Sequence, residues 1–184
     1  MKTIKLLSLF ALSGLLFTAC SDDDDTPEEV NEEEVITTMT VTLVPQGGGD
    51  TITLQTQDLD GDGPNAPEVT VSGALAGNTT YAGAIVLLNE TESPAENITL
   101  EVAEEDDEHQ FFFETTGSIS NVLYGDADGD GNPLGLAFTM ATTTAGSASI
   151  TITLRHEPKK PNDGTLADAG GETDITETFT LTVQ

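Results

Sequence analysis

"SITITLRHE" (residues 149–157) decides the fold. Ile150, Ile152, Leu154 and His156 fall on one parity, and Ser149, Thr151, Thr153 and Arg155 on the other. Alternation of this kind sends successive side chains to opposite faces of a β-strand. An apolar set opposite a hydroxyl set marks a strand with one face in a core and one in water. The same pattern runs outward in both directions. Met39, Val41 and Leu43 alternate with threonines, as do Ile52 and Leu54, then Val69 and Val71. Leu136, Phe138 and Met140 form another run, and Phe179, Leu181 and Val183 close the chain. Residues 81–88 are apolar on both parities, which predicts a central strand. Glycine-rich breaks at 45–50, 73–78 and 143–147 separate the runs. About eight to ten short strands at this spacing predict an all-β fold, an antiparallel β-sandwich that is immunoglobulin-like in the broad sense. One segment departs from the pattern. Ser93-Pro94-Ala95-Glu96 reads as a capping box, and Ile98 and Val102 sit four apart. A short helix over 94–105 and a strand over 97–103 are equal readings there.

The quoted stretch ends on a histidine, and the chain has only two. His109 opens "HQFFFE" on the parity of Phe111 and Phe113, while His156 continues the face of Ile150, Ile152 and Leu154. One histidine starts its strand and the other finishes its strand. If the two strands are antiparallel neighbours, both imidazoles lie at the same end of the sandwich. Acids surround them, with Glu108 before one and Glu157 after the other. Two imidazoles and a carboxylate form a ligand set for Zn²⁺ or Cu²⁺. The plainer alternative is that each histidine caps the core and donates a hydrogen bond to a neighbouring acid.

Two loops repeat Asp-x-Asp-Gly-Asp-Gly: Asp58, Asp60 and Asp62 in "DLDGDGPN" (58–65), and Asp126, Asp128 and Asp130 in "DADGDGNP" (126–133). Alternating aspartates in a turn can aim three carboxylates inward, as in the first half of an EF-hand loop, and this makes both loops Ca²⁺ candidates. The twelfth loop position, where a bidentate Glu belongs, is Val69 in one and Ala137 in the other. Asp and Gly are also ordinary turn residues.

The N-terminus sets the expected address. Lys2 and Lys5 precede an apolar stretch over 6–17, too short to span a bilayer and typical of a signal peptide. Thr18 and Ala19 lead into Cys20, the only cysteine. Apolar, small, small, Cys is the pattern of a lipoprotein signal. It predicts cleavage after residue 19, lipidation of Cys20 and a membrane anchor made of several acyl chains. No intramolecular disulfide can form. Nine acids and no base follow within 21–35, which reads as a solvated tether and resembles the surface-export signal of Bacteroidota lipoproteins. Ser21 rather than Asp follows the cysteine, so the inner-membrane retention signal is missing. The expected organisation is a signal peptide over 1–19, an anchor and tether over 20–35, and one domain over 36–184. The expected place is the outer membrane, facing the cell exterior.

The formal charge is −28 for the whole chain. Without the first nineteen residues, three basic residues stand against 33 acids, a net −30. Such a surface repels nucleic acid and anionic headgroups and attracts cations. The chain has no Gly-x-Ser-x-Gly elbow, no cysteine nucleophile in the expected domain, no Gly-Lys-Ser/Thr phosphate loop and no His-Glu-x-x-His. With no Trp and only Tyr81 and Tyr124, a sugar platform for an acid-pair hydrolase is also missing. The residues therefore favour a binding or structural module over an enzyme. A transition-metal-binding lipoprotein is the first alternative and a hydrolase the second.

The segments "NEEEVITT", "LLNETESPAENIT", "EEDDEHQFFFET", "LRHEPKK" and "AGGETDITETF" are similar to a group of small flavobacterial lipoproteins. Members often carry the label "type 1 periplasmic binding fold superfamily protein". That label implies an α/β fold with parallel strands, which the alternation here does not support. The resemblance brings no catalytic residues.

Overall fold

Residues 34–61 and 63–184 are described by a computed structural model. Cys20, the signal peptide, most of the acidic tether and Asp62 lie outside the described residues. The described chain forms nine strands and two short helices. The strands are β1 (Thr38–Pro45), β2 (Ile52–Gln57), β3 (Glu68–Val71), β4 (Thr80–Leu88), β5 (His109–Gly117), β6 (Ile119–Tyr124), β7 (Ala137–Thr142), β8 (Gly146–His156) and β9 (Glu172–Val183). Helix α1 (Ile98–Glu104) joins β4 to β5, and α2 (Leu166–Ala169) lies between β8 and β9. All strand pairs are antiparallel, in a six-stranded sheet ordered β3-β2-β1-β4-β7-β6 and a three-stranded sheet ordered β5-β8-β9. The parallel α/β architecture implied by the periplasmic-binding label is therefore not this chain's.

The alternation predicts the buried face well. Met39, Val41, Leu54, Ile85 and Phe138 of the larger sheet meet Phe111, Ile150, Leu154, Phe179 and Leu181 of the smaller one in a single apolar cluster. Burying side chains of this size stabilises by roughly 1.5–3 kcal/mol each, so this layer is what holds the two sheets together. The stretch over 81–88 is indeed central, with β4 between β1 and β7. Gly83 explains one gap in its inward face. A Cβ there would lie 2.3 Å from Phe138 Cζ, so the missing side chain is the space that the ring fills.

The 94–105 segment resolves as helix, shorter than expected and starting later. Pro94 does not open it: the helix begins at Ile98 with Asn97 at the N-cap, and an Asn89–Glu96 bridge closes the turn before it. Ile98 and Val102 are both buried, which the four-residue spacing of a helix face achieves and strand alternation would not. Two elements escape the sequence pattern. In β6 the register shifts between Ile119 and Asn121, breaking the period of two. Helix α2 spans four residues, too few for any periodicity, and is set by the Thr165 side chain accepting from the Asp168 N–H. No helix among the described residues is long and apolar enough to cross a membrane.

Candidate metal centre

His109 and His156 are cross-strand partners at the end of the β5–β8 ladder. Their ring centroids lie 4.6 Å apart. The shared face inferred from parity therefore becomes a contact between the two imidazoles.

The carboxylates nearest the pair are not the expected ones. Glu34 reaches both rings: Oε1 lies 2.8 Å from His109 Nε2 and Oε2 lies 3.2 Å from His156 Nδ1. Asp174 Oδ1 lies 3.9 Å from the same His156 Nδ1. Each of Glu34, His109, His156 and Asp174 offers one ligand atom, and all four atoms fall within 4.8 Å of one another. The group is well shielded, with side-chain exposure of 0% for His109, 1% for Asp174 and 6% for Glu34 and His156. Glu34, the last acid of the stretch read as a tether, belongs to this group.

Local structure explains each placement. Helix α1 ends without a basic residue, and its C-cap carbonyl, Glu105 O, lies 3.1 Å from His109 Nδ1. The terminal carbonyls of a helix need outside donors, and here the imidazole supplies one. With Nδ1–H committed to a backbone carbonyl, Nε2 is turned to the cluster. That is the outer hydrogen bond that metal-bound histidines make. Asp174 arrives through a β-bulge. Leu154 pairs with Ile175 but Arg155 pairs with Thr173, so Asp174 is the extra residue of the bulge. A bulge re-aims a side chain, and Asp174 turns in instead of continuing the alternation of β9. Gly171 permits the tight start of that strand. Its φ is +70°, and a Cβ would lie 2.3 Å from His156 O.

The electrostatics follow from burial and pairing. Desolvation pushes the Glu34 carboxyl up, but the hydrogen bond and charge of His109 outweigh it and hold the group down at about 2. Burial pushes His109 down, while Glu34, the Glu105 carbonyl and the Asp174 charge raise it above its ordinary value. These partners favour the protonated ring of His109 over the neutral one. A cleft of about 230 Å³ lined by Ile36, Thr56, Pro67, Ile175 and Glu177 reaches Asp174 and offers a path from solvent.

Glu108 and Glu157 form a second group with His156, again with one ligand atom each within 4.8 Å of the others. In the aspartate loops the described side chains bond within the protein. Asp126 spends both oxygens on its own loop, accepting from the N–H groups of Gly135 at 2.7 Å and Ala137 at 2.8 Å. Asp128 accepts from the N–H groups of Asp130 and Asn132 and from Lys160 Nζ at 3.3 Å. Asp130 is exposed. In the other loop Asp58 accepts from the Asp60 N–H, and Asp60 accepts from the Asn65 amide at 2.6 Å. Among the described residues neither loop gathers three carboxylates around one point. Short Asp side chains bond the nearest backbone N–H groups, and Asp128 also accepts from Lys160.

Comparison with known protein families, with curated proteins and with solved structures gives no match.

Proposed function

We propose that this protein is a lipid-anchored, outer-membrane metal-binding module that holds a divalent transition ion, Zn²⁺ before others, on Glu34, His109, His156 and Asp174. One observation carries the reading. The two imidazoles converge with two buried carboxylates, and His109 already spends its far nitrogen on a backbone carbonyl. Two nitrogens and two carboxylate oxygens suit Zn²⁺, which takes four ligands at ~2.0–2.2 Å, and suit Cu²⁺ in a flattened arrangement. Ca²⁺ is a poor fit because it needs six to eight oxygens. Four protein ligands close the coordination shell, which is the pattern of sites that hold a metal rather than use it for catalysis. Closing the shell draws the ligands together from their present separations, a movement of an ångström or so at side-chain ends.

The anchor rests on the sequence: the apolar stretch, the small residues and the single Cys20. The charge of the mature chain supports a cation as ligand. The binding experiment is isothermal titration of the full mature chain with Zn²⁺ at pH 7. Wild type should bind tightly, and His109→Ala should lose at least 100-fold in affinity. No heat of binding in wild type removes the metal reading. A second reading is favoured by the Glu34 contact itself: the carboxylate bridges two rings without any metal, as a charged latch between the segment before β1 and the smaller sheet. In that case Glu34→Gln would lower thermal stability while Zn²⁺ changed nothing.

A further inference from the structure

We propose that His156 is a bridging ligand, with its Nδ1 serving the inner Zn²⁺ position and its Nε2 serving a second, outer divalent transition ion held by Glu108 and Glu157. The inference rests on the inner site proposed above and adds a second ion to it.

The two nitrogens of His156 face two separate ligand groups. Nδ1 points at Glu34 and Asp174, at 3.2 and 3.9 Å. Nε2 points the other way, 3.9 Å from Glu108 Oε2, which is beyond hydrogen-bond reach. The residue is 5% exposed, and one ligand atom each of His156, Glu108 and Glu157 lie within 4.8 Å of one another.

The backbone around the outer group is set for this. Glu157 follows His156 directly, and neighbours in a strand point to opposite faces. Glu157 instead has φ +48°, a left-handed conformation that non-glycine residues rarely adopt. The turn ends β8 and leaves the Glu157 carboxylate beside its neighbour's ring. The Glu157 N–H donates to Glu108 O at 2.7 Å, so the two acids are fastened across the strand ends. Strain of this kind concentrates at functional sites. Glu108 is 49% exposed, so water can complete the outer coordination shell.

The charges balance. Binding at both nitrogens displaces the remaining imidazole proton to solvent. Four carboxylates and one imidazolate then face two dications, which leaves the pair of ions almost neutralised. The inner ion has the fuller and drier ligand set, so it fills first and the outer one binds more weakly.

Titration of the full mature chain with Zn²⁺ separates the outcomes. Wild type should take two equivalents, and the Glu108→Gln, Glu157→Gln double variant should take one, with the tighter affinity unchanged. Two equivalents in both proteins would overturn the outer site, because the second ion would then sit elsewhere. One equivalent in wild type that survives the double substitution but is lost in Glu34→Gln would overturn the bridge and leave the inner site standing. No binding at all would remove both. Copper gives an independent readout. Two Cu²⁺ ions joined through one imidazolate couple their spins, so the doubly loaded protein should show well under half the paramagnetic signal of two isolated ions. The full signal of two uncoupled ions would overturn the bridge.

Discussion

Glu34 and His109 depend on each other's charge, and the sign of that dependence fixes how the metal-free protein responds to pH. Glu34 has its carboxyl held at about 2, below the ordinary 4.5. Its contribution is present above pH 4.5 and is lost as pH falls toward 2. His109 has its imidazole raised above the ordinary 6.5, so its contribution is present below pH 6.5 and is lost as pH climbs through the raised value. Both hold together between those ordinary values. The chelator-treated wild type should therefore melt highest between about pH 4.5 and 6.5. A shift of this size corresponds to roughly 3 kcal/mol at most. Glu34→Gln should lower the melting temperature in that window by roughly 5–10 °C, with a smaller effect at both extremes. Calorimetry across pH 3–9 checks it, and a uniform drop at every pH would show that the charge pairing is not the cause. Zn²⁺ affinity runs the other way at the acid side, because the ion must displace the His109 proton. It should fall as pH drops through the raised His109 value.

Strand elements were legible in the sequence because alternation is a direct consequence of the pleat, and it carried the histidines with it. Parity put His109 and His156 on core faces, and the β5–β8 register then made them neighbours. The carboxylates were hidden for two physical reasons. Asp174 sits in a bulge, where period-two counting loses its place by one residue. Glu34 is the last of nine acids in a stretch whose composition says only that it is solvated. The one local cue was "AGGETD", where two adjacent glycines announce a backbone that ordinary residues cannot follow. That cue yields a test. Gly171→Ala puts a methyl where His156 O stands and demands φ +70° of an alanine. It should cost about 2–3 kcal/mol and weaken Zn²⁺ binding at least tenfold, since the displaced carbonyl belongs to a ligand. Unchanged Zn²⁺ affinity in a destabilised protein would detach the bulge from the site. At the second aspartate loop, spacing alone did not show that a lysine falls beside Asp128. The Asp128 side chain is 1% exposed and Lys160 Nζ lies beside it at 3.3 Å. Asn132 and Lys160 hold the Asp128 carboxyl below its usual range against the opposing effect of burial. Asp128→Ala leaves the buried lysine with only the Asp106 carbonyl to accept from it and should destabilise by about 3 kcal/mol, to the same extent with and without millimolar Ca²⁺. A loss of stability seen only with Ca²⁺ present would restore the loop as an ion site.

At the scale of the whole molecule, charge is distributed by architecture. The outward positions of the central strands in the larger sheet, such as Thr40, Thr42, Ala82, Ala84 and Thr139, carry no charge. Most of the described acids sit in loops, in the short helices or near strand ends, with Glu114 and Glu177 inside strands, and one such end holds the histidines. Residues 34–184 carry 25 acids against three basic residues, and this net −22 has two opposed effects. It strains the metal-free fold by self-repulsion, and it draws dications toward the end where the field is strongest. Salt separates them. Raising NaCl from 10 to 150 mM shortens the screening length from about 30 to about 8 Å. The metal-free protein should then melt higher, because repulsion between distant acids is screened. The extra stability given by saturating Zn²⁺ should shrink over the same range, because screening weakens the pull on the ion while its ligands stay the same. At free Zn²⁺ of 100 times the dissociation constant that increment is about 2.7 kcal/mol, or roughly 5–11 °C, large enough for a twofold reduction to be measured. If the increment held constant from 10 to 150 mM salt, the acidic surface would have no part in capture. The four ligands would then act alone, and the charge of the folded residues would need another cause, such as holding neighbouring copies apart.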